Sequence, residues 1–168
     1  GGNEMARGNS IVVSSMPQGV FREFIVKTGE TFYPGMVVQE DNTVSLASGR
    51  NTAKIYAPGT DGEQPVGAFW VVTERLQAMA GAVMTSSIAA GERVLCYAPE
   101  PGDELNLLIA NLSGTGDDHT KGEKLMVDTG TGKLIATTGS PETEVAVLKE
   151  TLTDPTADTL AWCQWSGH

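Results

Sequence analysis

Gly91-Glu92-Arg93-Val94-Leu95-Cys96-Tyr97-Ala98-Pro99-Glu100-Pro101-Gly102-Asp103-Glu104-Leu105-Asn106-Leu107-Leu108-Ile109-Ala110 is the stretch that decides the fold class. A Gly-Glu step opens onto an apolar run, Pro101-Gly102-Asp103 breaks that run, and a second apolar run follows at once. Each run has the length of a strand and is too short for an independent helix. Glycine and proline in the breaks supply the backbone angles that tight turns demand.

The same grammar extends in both directions. Towards the C-terminus, Gly122-Glu123 precedes Lys124-Leu125-Met126-Val127, and Thr129-Gly130-Thr131-Gly132 reads as a hairpin into Lys133-Leu134-Ile135. Val145–Glu150 and Thr159–Trp165 form a last pair of strands, with Asp154-Pro155 between them. Towards the N-terminus, Val20–Val26 is a strand ended by Lys27-Thr28-Gly29-Glu30, and Pro34-Gly35 turns into Met36-Val37-Val38. Thr43-Val44-Ser45-Leu46 alternates as a half-buried strand does, and Asp61-Gly62 turns into the strong run Pro65–Val72. The Gly-Glu step at 29–30, 91–92 and 122–123 recurs at unequal intervals, which marks a turn device and not a solenoid.

Short strands joined by tight turns predict a mainly β protein: a compact β-sandwich or barrel of short antiparallel strands, with at most one short helix. Glu74–Met84 is the one ambiguous segment, reading equally as a short helix, a bulged strand or a projecting loop. Residues 1–19, with three glycines in the first eight positions, are expected to form an extended arm that orders only when captured, and residues 20–168 a single β-rich domain. The expected core comprises Phe24, Val26, Val37, Phe69, Val71, Val94, Leu107, Ile109, Leu125, Val147 and Trp162.

The 168 residues carry a formal net charge of −10. Residues 1–60 hold five basic and five acidic side chains, so the excess comes wholly from residues 61–168, with six basic and sixteen acidic. Such a surface repels phosphate backbones and argues against nucleic-acid binding. The apolar stretches are interrupted every few residues, so no membrane span is expected. Cys96 and Cys163 each sit inside an apolar run and offer no zinc spacing or C-x-x-C; the sequence leaves their pairing open.

Three motifs invite chemistry. Leu125-Met126-Val127-Asp128-Thr129-Gly130 resembles an aspartic-protease turn, in which two facing aspartates share a proton and activate water, as a homodimer would arrange with Asp128. The same residues read as a β-hairpin turn, and the companion apolar-apolar-Gly segment is missing downstream. Asp117, Asp118 and His119 follow Gly114-Thr115-Gly116 in a polar loop, but two carboxylates fall short of the oxygen ligands calcium needs. No catalytic residue, metal or cofactor is therefore assigned, and no enzyme activity is expected. A glycan-stacking face would require exposed tryptophans among Trp70, Trp162 and Trp165.

Residues 91–165 resemble, in order, the capsid decoration (cement) proteins of tailed bacteriophages. Ala90-Gly91-Glu92-Arg93-Val94 is similar to that family's "aGd-x-V" turn and strand. Tyr97-Ala98-Pro99-Glu100-Pro101-Gly102-Asp103-Glu104-Leu105-Asn106 resembles its "Y-x-P-x-P-G-D-E-x-N" segment. Lys121–Leu125 with Thr131-Gly132-Lys133-Leu134 resembles its "kG-d-x-L … dGkL" hairpin, and Ala146–Glu150 its "A-x-x-x-E" strand. Residues 1–60 carry no such likeness, and the acidic loop 113–120 departs from the pattern. The resemblance implies a homotrimer, made in the bacterial host cytoplasm and seated on the outer surface of the expanded virion shell, with the major capsid protein as partner. The alternative is a β-sandwich carbohydrate- or surface-binding module of a virion. Under the decoration reading the expected capsid and protomer contacts are Met5, Arg7, Ile11, Val12, Val13 and Met16 in the arm, with Leu76, Met79, Val83 and Met84 in the ambiguous segment.

Overall fold

The computed structural model describes residues 10–14, 16–43, 51–56, 68–75, 86–111, 118–137 and 144–167. Among these residues the chain forms ten strands and no helix: β1 (Val20–Val26), β2 (Val37–Glu40), β3 (Asn51–Ile55), β4 (Trp70–Arg75), β5 (Arg93–Ala98), β6 (Glu104–Ile109), β7 (Lys124–Val127), β8 (Leu134–Ala136), β9 (Ala146–Leu148) and β10 (Thr159–Trp165). The mainly β expectation holds. The strands close into two five-stranded barrels, β1-β3-β2-β4-β5 and β10-β6-β8-β7-β9. Closure is how short strands of this kind avoid exposed edges.

The two barrels are the same motif used twice. In each, the first and third strands pair in parallel (β1 with β3, β6 with β8) and every other pair is antiparallel. The correspondence reaches single hydrogen bonds. Gly35 N–H donates to Val72 O at 2.8 Å, and Gly122 N–H to Leu148 O at 2.7 Å. Val72 N–H returns to Met36 O at 2.9 Å, and Leu148 N–H to Glu123 O at 2.9 Å. Phe32 and Ile88 exchange both backbone bonds, as do His119 and Leu152. Asp41 N–H donates to Thr52 O, and Asp128 N–H to Lys133 O, each at 2.8 Å. Phe32–Asp41 therefore matches His119–Asp128, and Cys96, paired with Val72, matches Cys163, paired with Leu148.

The recurring Gly-Glu step has a physical explanation. At Gly29, Gly35, Gly91, Gly102 and Gly122 the backbone has φ between +81° and +96°, where a side chain is strained. The residue after each glycine donates its N–H to the carbonyl three positions back, at 3.0–3.1 Å, the hydrogen bond of a type II turn. In three of these turns that residue is an acid whose carboxylate accepts the first N–H of the turn: Glu92 from Ala89, Asp103 from Glu100, and Glu123 from Thr120. Met36 does the same from Tyr33 with its sulfur.

The barrels share one continuous hydrophobic core. Barrel 1 presses the turn at Gly35 against β6 and β10: Leu108 N–H donates to Gly35 O at 3.0 Å, and a Cβ on Gly35 would lie 2.5 Å from Leu160 Cδ2. Val37 N–H bonds Gly132 O, Gly130 N–H bonds Tyr56 O, and Phe69 meets Trp165 edge-on. Of the expected core, Val147 and Trp162 fall on the outer face: β9 and β10 bury Ala146, Leu148, Ala161, Cys163 and Trp165 instead. The run Ala161-Trp162-Cys163 is apolar on both faces, so alternation alone does not choose the inward one.

Residues 10–14, expected to await a partner, are captured by the protein itself. Val12 pairs antiparallel with Leu105, Asn106 N–H donates to Ile11 O at 2.7 Å, and Val13 N–H to Glu104 O at 2.9 Å. This strap covers the part of β6 that β8, paired only at Ile109, does not reach.

Candidate functional site

The motifs singled out for chemistry resolve mostly into turns. Asp128 accepts the Thr131 hydroxyl at 2.8 Å, and its carbonyl accepts Gly132 N–H at 3.1 Å. Its counterpart Asp41 accepts both the N–H and the hydroxyl of Thr43, at 3.0 and 2.6 Å. The Thr43 hydroxyl bond, with Lys27 Nζ at 3.1 Å, holds the Asp41 carboxyl down at about 2. Both aspartates do the same local work, closing the loop that follows the second strand of their barrel.

Asp118 Oδ1 accepts the N–H of Asp154, a non-glycine residue at φ +47°. His119 is buried, with Nδ1 2.8 Å from Glu123 Oε1, at the position Phe32 fills in barrel 1. Asp117 lies outside the described residues. Among the described residues no cluster of three or more His, Cys, Asp or Glu side chains is arranged to hold a metal ion.

Cys96 and Cys163 are free thiols, one inside each barrel, and burial pushes both pKa values up. A buried thiol held in its neutral form is a weak nucleophile. Trp70 and Trp165 are buried and Trp162 is half-buried, so the structure does not gather the tryptophans on one exposed face.

The expected contact residues separate into three groups. Ile11, 3 % exposed, is committed to the chain's own core, and Val12 and Val13 are half-buried along β6. Met16 is 77 % exposed. Met5, Arg7, Leu76, Met79, Val83 and Met84 lie outside the described residues.

Two features escape the sequence reading. The first is a buried hub at Asp103, on the turn between the barrels. Its carboxylate accepts Gln18 N–H at 3.0 Å, Glu100 N–H at 3.0 Å and the Tyr97 hydroxyl at 2.5 Å. The Tyr97 oxygen in turn accepts Gly19 N–H at 2.6 Å. Burial, then the bond to Asp103, pushes the Tyr97 pKa up to about 12, so the phenol stays a donor. Gly19 is required, because a Cβ there would sit 1.9 Å from Ala98 O. The hub binds the end of barrel 1, the start of barrel 2 and residues 18–19, which lie between the strap and β1, in one place.

The second is a set of exposed apolar side chains: Val20 is 61 % and Phe21 49 % exposed at the start of β1, with the Phe21 ring 4.7 Å from Tyr97, and Met16 precedes them in the chain. The available signal was Val20-Phe21 itself, which puts adjacent apolar residues on opposite faces of one strand.

A scan against protein-family models finds no matching family, and a search of curated proteins finds no similar one.

Proposed function

We propose that this protein is a capsid decoration protein of a tailed bacteriophage: a non-enzymatic homotrimer that binds the outer surface of the expanded shell and stabilises it. One observation carries the reading, the ordered resemblance along residues 91–165. Its segments coincide with parts on which the double barrel depends. Tyr97–Asn106 contains the Asp103 hub, and Lys121–Leu125 contains the turn of barrel 2 and the start of β7. Two barrels fused through one core make a stiff body, which suits a protein that acts by bridging neighbours. A ligand of the expanded lattice alone shifts the shell towards that state by mass action. The acidic excess keeps decorated particles apart.

Light scattering followed by co-sedimentation tests the reading. A trimer that pellets with expanded shells and not with unexpanded ones supports it; a protein that ignores both rejects it. Quenching of tryptophan fluorescence by a glycan panel would favour the carbohydrate-binding module instead.

A further inference from the structure

Barrel 2 closes without the strap. Its ring runs β10-β6-β8-β7-β9, and β6 pairs with β10 from Glu104 to Ile109. Residues 10–14 join this ring only through the bridge between Val12 and Leu105.

The bonds that seat the strap run to two residues of β6. Glu104 O accepts the N–H groups of Val13 and Ser14 at 2.9 and 3.3 Å, and Glu104 N–H donates to Ser14 Oγ at 2.6 Å. Asn106 donates its N–H to Ile11 O and its Nδ2 to Ser10 O, each at 2.7 Å. Ile11 is the one strap side chain buried in the core, while Val12 and Val13 are half-buried. Beyond the strap, Met16 and Pro17 are exposed, and the chain is gripped again at Gln18 and Gly19 by Asp103 and Tyr97. A short segment with one buried anchor, attached through an exposed link, is the kind of element that opens without global unfolding.

From this arrangement we propose that the strap is a releasable strand: residues 10–14 leave β6 as a unit while both barrels stay closed and the Asp103 hub stays intact. Release bares the N–H and C=O of Glu104 and the N–H of Asn106, a strand edge of the kind that takes up an extended peptide segment. Asn106, fully buried under the seated strap, then meets water. The seated strap is thus the protein's own cover for that edge. This opening needs only the single chain and is independent of the decoration reading.

Hydrogen exchange of the full chain, at urea concentrations below unfolding, is the test. The amides of Val13 and Asn106 should exchange at least about 100-fold faster than those of Leu107 and Ala161 on the β6–β10 ladder, at a rate that hardly changes with urea. The Gly19 amide, held by the Tyr97 hydroxyl, should be slower than the strap amides. A covalent lock supplies the converse. Val12 and Leu105 form a non-hydrogen-bonded antiparallel pair, whose close spacing a disulfide can span, and the native Cys96 and Cys163 are buried. In the Val12→Cys, Leu105→Cys variant, oxidation should slow exchange at Asn106 to the rate of Leu107, and reduction should restore it. Leu105 is fully buried, so the reduced form of the same variant is the reference for any loss of stability. Val13 and Asn106 amides that exchange at the ladder rate, with the ladder's urea dependence, overturn the proposal, because the strap is then an integral strand of barrel 2. An Asn106 amide that stays fast in the oxidised variant overturns it too. A Gly19 amide as fast as those of the strap places the release beyond the hub and does the same.

Discussion

Barrel 1 and barrel 2 repeat one set of backbone bonds with different side chains. Where barrel 1 places Phe32, Pro34, Met36 and Val37, barrel 2 places His119, Lys121, Glu123 and Lys124. The first set is apolar because its turn is pressed into the other barrel; the second is polar, with His119 buried and its turn at 121–122 exposed to solvent. Backbone geometry is thus fixed by strand pairing and turn glycines, while side chains are free to specialise each copy as a buried joint or an exposed surface.

The sharpest way to break this comparison is to add one methyl group at equivalent turns. Gly35 and Gly122 have φ of +90° and +94°, so alanine costs each about 1–2 kcal/mol in backbone strain. Gly35 also faces Leu160 and Leu108 N at 2.5 and 2.9 Å, whereas Gly122 has nothing within 4 Å. Gly35→Ala should lose about 3 kcal/mol or more in urea unfolding, and Gly122→Ala only the strain.

The next effect exchanges the residues at the paired bridges. Phe32→His places an imidazole in a core with no acid at the position of Glu123 and should cost about 3 kcal/mol. His119→Phe copies barrel 1 into barrel 2 and should stay within about 1 kcal/mol of the native protein by the same titration. A large loss in the second variant would mean that the His119–Glu123 bond, not the shape of the site, holds that turn.

At the joint, Asp103→Ala removes the acceptor of three hydrogen bonds and should cost about 2–3 kcal/mol. Hydrogen exchange locates the damage: the Val13 and Asn106 amides, which tie the strap to β6, should lose protection before the barrel interiors do. Equal loss throughout would contradict a local latch.

The smallest effect is read at Asp41 by pH. The folded Asp41 carboxyl sits at about 2 against an ordinary 3.8. Its stabilisation is therefore complete above the unfolded value and is lost as pH falls through the folded one. Replacing Asp41 with Asn should flatten the fall in stability between about pH 4 and pH 2. An unchanged slope would show that other carboxylates set the acid limit.

Much of the fold was legible because turns and strand lengths are local. Val20–Val26 and Thr159–Trp165 coincide with β1 and β10 to the residue. β3 was not legible: Asn51-Thr52-Ala53-Lys54-Ile55 owes its strand to β1 and β2 on either side, not to its own composition. The duplication was hidden as well. The equivalent pairs Gly35 and Gly122, Asp41 and Asp128, and Cys96 and Cys163 keep their identity, but unequal loops change the interval between copies from strand to strand, which erases any period. The expected strand at 43–46 falls largely outside the described residues, and the segment 74–84 does so beyond β4. For the candidate site, burial of Ile11 depends on the part of β6 that β8 leaves uncovered, a long-range matter that five residues of sequence do not contain.

The strap has a consequence for how the molecule is made. Residues 10–14 are synthesised before barrel 1, yet their seat on β6 is made only after all of it. Barrel 1 can close on the nascent chain while residues 10–14 are still unseated, and β10 is the last strand of barrel 2 to be made. An early segment and a late strand are thus joined in one barrel, so a chain truncated before β6 offers Ile11 nothing to bury against and displays it to chaperones and proteases.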